Sequence, residues 1–398
     1  MSLPKSVWRW AFYDFANSSY ILVYPAFLLP VFFSTVLVKH GFSLALWGWT
    51  NGLSTVIGVA IAVLVGYVAD RRGRFRAFMW SIILAFVGMV AVSFSVRYFV
   101  DYLYIIFIAT NALFILTLSL SDSILPYVSS NDDSYYHGGF AWGFGYIGGV
   151  ISLVIVLVLQ KFTGDYSPLV FLSVALFYII FSAYSLRGLK DVSLNEPVPQ
   201  EASQPLTRRQ KGLLLAGYWL ISECITVVIL FFSIFGTQEL KLSLPVMGAF
   251  LLLVQLVAFP ATWYGGHLTK RYHPLSLLGI TILFWGVTIF VLASHPSIVA
   301  LVIATIFGGL ALGNSQSFLR SQYATVIHRG ESGFQFGIYS IVSEAAVFIG
   351  PIIYGYASDY LHSQRLPLMF LFFLMAAGYV LVRLVMKKAA PITSAAAA

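Results

Sequence analysis

The stretch GYVADRRGRFR, residues 66–76, follows one long apolar run and opens another, and its reading decides the architecture. Gly66 and Gly73 allow a close helix approach and a tight turn, and Asp70 suits the positive N-terminal end of a neighbouring helix. Arg71 and Arg74 are expected to stay with lipid headgroups beside the loop. A counterpart, GGHLTKRYH, begins at Gly265, about 200 residues later. HGGFAWGFGY at 137–146 likewise parallels ESGFQFGIY at 331–339, so the chain is a duplicated half. The second copy of the loop departs from the first, with Thr269 where the acid belongs and Tyr272 where the second glycine belongs.

Outward from the loop, the composition excludes a water-soluble protein. The 398 residues are 59% hydrophobic and 10% charged, too few charges to furnish a solvated surface. Apolar runs of spanning length fall near 12–38, 44–69, 76–96, 100–121, 138–160, 167–187, 212–236, 243–264, 274–294, 298–321, 332–357 and 366–386. Twelve transmembrane helices in two pseudo-symmetric six-helix bundles are therefore expected, an all-α membrane protein. With the N-terminus inside, 17 Lys and Arg fall on the inner side and five on the outer, so both termini are expected in the cytoplasm. SLPKSVWRWAFY near the start reads as a basic, tryptophan-rich approach to the membrane rather than a cleavable leader.

The longest hydrophilic stretch, 191–211, is rich in Pro, Gln and Ser and reads as a cytoplasmic linker. It separates an N-terminal bundle, 1–190, from a C-terminal bundle, 212–388, with 389–398 expected as a disordered tail. Parallel six-helix repeats joined by an inner linker imply alternating access, in which two bundles rock about a site near the bilayer midplane.

The form G-x-x-x-D-R-x-G-R at Gly66, Asp70, Arg71, Gly73 and Arg74 resembles the signature loop of the major facilitator superfamily. WRWAFYDFANSSY at 8–20, ILPYVSS with GGFAWGFGYIGG at 124–149, LLVQLVAFP at 252–260 and GNSQSFLRSQYATVIHRGESGFQFGIY at 313–339 are similar to one branch of it. That branch comprises the autophagy-related vacuolar amino-acid effluxers and their prokaryotic homologues, and YDFANS is the most specific element. The resemblance implies a major facilitator fold, export of small solutes, and a cavity lined by spans 1, 4, 7 and 10. Neutral amino acids are the best-known cargo of its eukaryotic members. Where the family tends to have Asp-Gly in the seventh span, this chain has Glu223-Cys224.

An ionisable side chain deep in a span is costly, which makes it a functional candidate. Glu223 and Glu344 come out roughly 16–18 Å from the inner ends of their spans, near the midplane. Both are candidates for proton coupling, with Asp14 as a third. A midplane carboxylate must be neutral, paired or hydrated. Glu344 has a protonated packing role as its alternative, and Asp14 a helix-capping role in a first turn. Tyr13, Asn17, Tyr20 and Tyr24 form one polar-aromatic stripe on the first span, suited to an amphipathic solute or to packing. Gln316 and Arg320 share a face of the tenth span as further solute contacts. Asp122 and Arg320, at similar inner depth in equivalent spans, form either a gating ion pair or two charges satisfied by headgroups. Gly66, Asp70, Arg71, Gly73 and Arg74 complete the gating candidates.

A membrane enzyme would need a convergent constellation. The seven histidines fall in loops or near span ends, the single Cys224 lies deep in an apolar helix, and no nucleotide-cradling glycine loop followed by Lys and Ser/Thr occurs. No enzyme activity, cofactor or metal is expected. The expectation is a proton-coupled secondary exporter of neutral or hydrophobic amino acids. A multidrug or other small-metabolite exporter is the alternative, ahead of a sensor, a channel or an enzyme. A small-molecule solute, protons and the lipid bilayer are the expected partners, with no nucleic acid, a monomeric state and the plasma membrane of a prokaryote as the location.

Overall fold

The computed structural model describes residues 3–42, 46–190, 192, 194, 206–236, 240–294, 297–363 and 365–389. Most of the expected linker, and residues 390–398 of the tail, lie outside them. Among the described residues, twelve long helices follow in chain order. The first six are α1 (Lys5–Phe32), α2 (Leu46–Arg72), α3 (Arg74–Tyr98), α4 (Leu103–Asp122), α5 (Ser134–Thr163) and α6 (Pro168–Leu189). The second six are α7 (Arg208–Ile234), α8 (Leu244–Leu268), α9 (Pro274–Ser294), α10 (Ile298–Val326), α11 (Ser332–Tyr360) and α12 (Arg365–Ala389). Among the described residues eleven are both long and apolar enough to cross a membrane, and α11, at 29 residues, is longer than the about 20 that crossing requires. Large apolar side chains stand on the outside, Trp49 at 74% and Leu64 at 68% exposure among them, as a surface facing lipid requires.

Local chemistry sets where the helices begin and bend. Gly73, at φ 123° and ψ 105°, turns the chain between α2 and α3 in a backbone conformation that a side chain disfavours. Thr207 and Gln210 form a capping box at the start of α7, and the Ser297 side chain caps α10. Within α1, Pro25 sits at the start of a π-helical segment, Tyr24–Leu28, because proline supplies no N–H to the regular ladder. The helix begins at Lys5, earlier than the apolar run suggests. Asp14 therefore lies in the third turn, and the capping role considered for it is excluded.

The chain divides into two compact units: Met1–Ser130, Phe140–Val198 and Arg329–Ser340, and Asn131–Gly139, Pro199–His328 and Ile341–Ala398. In the first, α1 packs on α6, α2 and α3 on α4, and α3 on α6. In the second, α7 packs on α12, α8 and α9 on α10, and α9 on α12. Each pairing recurs six helices later, so the repeat seen in the sequence is also a repeat of packing.

Candidate functional site

The first unit is held together by the polar stripe of α1. Tyr13, Tyr20 and Tyr24 are wholly buried. The Tyr13 hydroxyl donates to Thr117 Oγ1 on α4. The Tyr20 hydroxyl donates to Asn111 Oδ1 at 3.1 Å, and Asn111 Nδ2 donates to Ser54 Oγ of α2 at 2.8 Å. The Tyr24 hydroxyl donates to the Phe171 carbonyl of α6 at 2.8 Å. One face of α1 is thus tied by hydroxyls to α4 and α6 and, through Asn111, to α2. Asn17 Nδ2 donates to Asp14 Oδ1 at 3.3 Å, which brings two further candidates together. Asn111, buried in the middle of α4, escaped the sequence reading, although an amide inside a span is itself a signal.

The loop at 66–76 is ordered by Asp70. Its two carboxylate oxygens accept from the backbone N–H groups of Gly333 and Phe334, each at 2.9 Å, in the first turn of α11. A helix start has unsatisfied donors and a partial positive charge, and the carboxylate answers both. Gly66 is required for this approach: a Cβ there would lie 2.3 Å from the Gly333 carbonyl oxygen. Arg71 lies over the Tyr67 ring, its guanidinium carbon 3.8 Å from the ring centroid. Arg74 departs from the headgroup location expected of it. It is 2% exposed, pairs with Asp70, donates to the Leu194 carbonyl at 2.7 Å and lies 4.3 Å from the Tyr127 ring centroid. The reason is spacing: with Gly73 turning the chain and α3 beginning at once, Arg74 falls i+4 from Asp70 and folds back on it.

In the second unit Glu223 lies past the middle of the 27-residue α7 and is 7% exposed. Neither of its carboxylate oxygens has a hydrogen-bond partner among the described residues. It is seated against the backbone of α11, where a Cβ on Gly350 would lie 2.9 Å from Oε1. Glu344, near the middle of α11, is partly exposed, as is Gln316 on α10. Arg320 is 1% exposed and donates to the Gly138 carbonyl at 3.1 Å, so satisfaction by headgroups is excluded for it. Asp122, in the first unit, is partly exposed at the end of α4.

Twelve helices in two matching sets of six, with an acidic loop bound to a helix start, define a transporter of the major facilitator type embedded in the membrane by many spans. The solved structures similar in fold include the human organic anion transporter MFSD10, with a TM-score of 0.73 and 15% identity over 95% of this chain and 99% of that one. The proton:xylose symporter XylE has a TM-score of 0.74 and 12% identity over 97% of this chain and 95% of its own. Within that class the chain belongs to the family described as vacuole effluxer Atg22 like, which it matches over residues 43–391. The MFS-type transporter YxiO of Bacillus subtilis is 23% identical over 414 residues, 94% of each chain. Autophagy-related protein 22 of Eremothecium gossypii is 25% identical over 179 residues, 42% of this chain and 35% of that protein.

Two outcomes follow from this geometry. Asp70→Asn removes the negative charge at the α11 start and weakens its hold by about 1–2 kcal/mol. Hydrogen exchange of the peptide containing Gly333 and Phe334 should then accelerate several-fold, and unchanged exchange would refute the assignment. Tyr24→Phe removes a buried hydrogen bond contributing about 1 kcal/mol, and the thermal midpoint in detergent should fall by a few degrees. An unaltered midpoint would show that this hydroxyl does not tie α1 to α6.

Proposed function

We propose that the protein is a secondary active exporter of small organic solutes, neutral or hydrophobic amino acids first among them, that works by alternating access and is coupled to protons through Glu223. The observation that carries this reading is a carboxylate more than nine-tenths buried within a spanning helix with no hydrogen-bond partner among the described residues. An isolated charge in such a place is too costly to persist. The group binds a proton while dry and releases it when water enters, and alternating access supplies both conditions. Membership of the Atg22-like effluxer family supports export. Glu344 and Asp14 are proposed as secondary proton sites. Asn17, Gln316 and Arg320 are proposed as contacts for the solute, the forked guanidinium being suited to its carboxylate. The excess of positive charge on one set of loops supports cytoplasmic termini, and the Bacillus relative supports a prokaryotic plasma membrane.

Proteoliposomes with an imposed proton gradient and a panel of amino acids, short peptides and lipophilic cations test the reading directly. Glu223→Gln should retain solute exchange and lose gradient-driven accumulation. Accumulation against a gradient by that variant would overturn the coupling assignment. Gly350→Ala, which crowds the Glu223 carboxylate, should lower gradient-driven uptake while leaving exchange largely intact. An equal loss of both would mean that Gly350 serves packing alone.

A further inference from the structure

The second half keeps the helix contact made by the signature loop and changes its chemistry. In the first unit Gly66 faces Gly333 of α11. In the second unit Gly266 approaches Gly139 of α5, where a Cβ on Gly139 would lie 2.8 Å from the Thr262 carbonyl oxygen and 3.0 Å from Gly266 Cα. Counted from the glycine that approaches the facing helix in each unit, the two loops are offset by 200 residues, one more than alignment on Gly265 gives. Asp70 then corresponds to Lys270, each four residues after its glycine. An acid has been replaced by a base.

The length of the facing helix explains the exchange. α11 starts at Ser332, one residue before Gly333, so the N–H groups that Asp70 accepts from lie in a first turn. α5 starts at Ser134, five residues before Gly139, so the N–H groups of Gly139 and Phe140 fall within the ladder and donate to carbonyls four residues back. A carboxylate at position 270 would find no donor there. Lys270 instead reaches to Asp133, the residue just before α5, with Nζ 3.1 Å from Oδ1 and 4.3 Å from the centroid of the Tyr136 ring. Asp133 stands where a helix N-terminus favours negative charge, so one carboxylate answers both the dipole and the lysine. The same turn is tied at two further points. Tyr135 donates to Gln322 Oε1 at 2.5 Å, and Ser321 donates to the Ser134 carbonyl at 3.1 Å.

We propose that Lys270, Asp133 and Tyr136 form a second clamp, the charge-reversed counterpart of the Asp70 clamp, which fastens the start of α5 to the α8–α9 turn and releases when the carrier opens at this end. The release rests on the alternating access proposed above; the clamp itself can be tested without solute or gradient. With the Lys270 and Asp133 side chains 27% and 42% exposed, the pair is half wet and biases the equilibrium by about two- to fivefold.

The reporter is Ser134→Cys in full-length protein carrying Cys224→Ser. Ser134 is 3% exposed and its hydroxyl has no hydrogen-bond partner among the described residues, so a thiol there disturbs little. Reaction with N-ethylmaleimide in detergent micelles then reads how often the clamp opens. Lys270→Asp should raise the rate about fivefold and Asp133→Asn about twofold, while Lys270→Arg should leave it near the starting value. Combining Lys270→Asp with Asp133→Lys should recover part of the loss, short of all because a lysine at 133 opposes the helix dipole. Native Cys224, 0% exposed, serves as the unfolding control in parallel samples without the reporter. An unchanged rate in Lys270→Asp, no recovery in the double variant, or an equal rise at Cys224 would each overturn the clamp.

Discussion

Hydrocarbon offers no hydrogen bond, so each polar atom carried into a span must find its partner within the protein. Much of this structure is an answer to that constraint. The hydroxyls of Tyr13, Tyr20 and Tyr24 go to Thr117, Asn111 and the Phe171 carbonyl, and in doing so they fix α1 against α4 and α6. The indole N–H of the buried Trp10 goes to the Ser121 carbonyl at 3.0 Å. Against this background Glu223 stands apart, because it is deep, acidic and lacks such a partner among the described residues. The constraint turns an otherwise ordinary glutamate into the residue on which the proposed coupling rests.

At the helix ends the same requirement is met by charge. The first turn of α11 presents donors that a carboxylate can reach, and Asp70 takes two of them. Beside it Arg74 binds Asp70, the Leu194 carbonyl at the start of the linker and the Tyr127 ring. The Tyr127 hydroxyl donates to the Arg329 carbonyl at 2.7 Å, just before α11. One guanidinium therefore stands at the junction of the loop, the linker and the approach to α11. In the second half the turn after α8 meets a helix that begins earlier, and a lysine paired with Asp133 replaces the acid. Each loop brings a glycine close to the facing helix, and where that helix starts decides which charge finds a partner.

The comparison of the two loops also shows where reading residues one by one misleads. Thr269 and Tyr272 make the second loop look like a degraded copy when it is aligned on Gly265. Aligned on the glycines that meet, it contains a cation in the place of the acid, facing an anion that precedes α5. Asp133 and Lys270 are 137 residues apart in the chain, and neither stands out in its own loop.

The sequence by itself determined the class of environment, the twelve spans, the duplication and the acid-bearing loop, because these follow from composition, periodicity and local spacing. It also marked Glu223, since the cost of a buried carboxylate is a property of one residue and its depth. The tertiary structure decided what depends on partners distant in the chain. It alone showed that the α1 tyrosines bond to neighbouring helices, that Arg74 turns inward, and that Arg320 is enclosed beside Gly138. Hydrogen bonds act over about 3 Å, and no local pattern records which carbonyl or ring a helix crossing will bring within that reach.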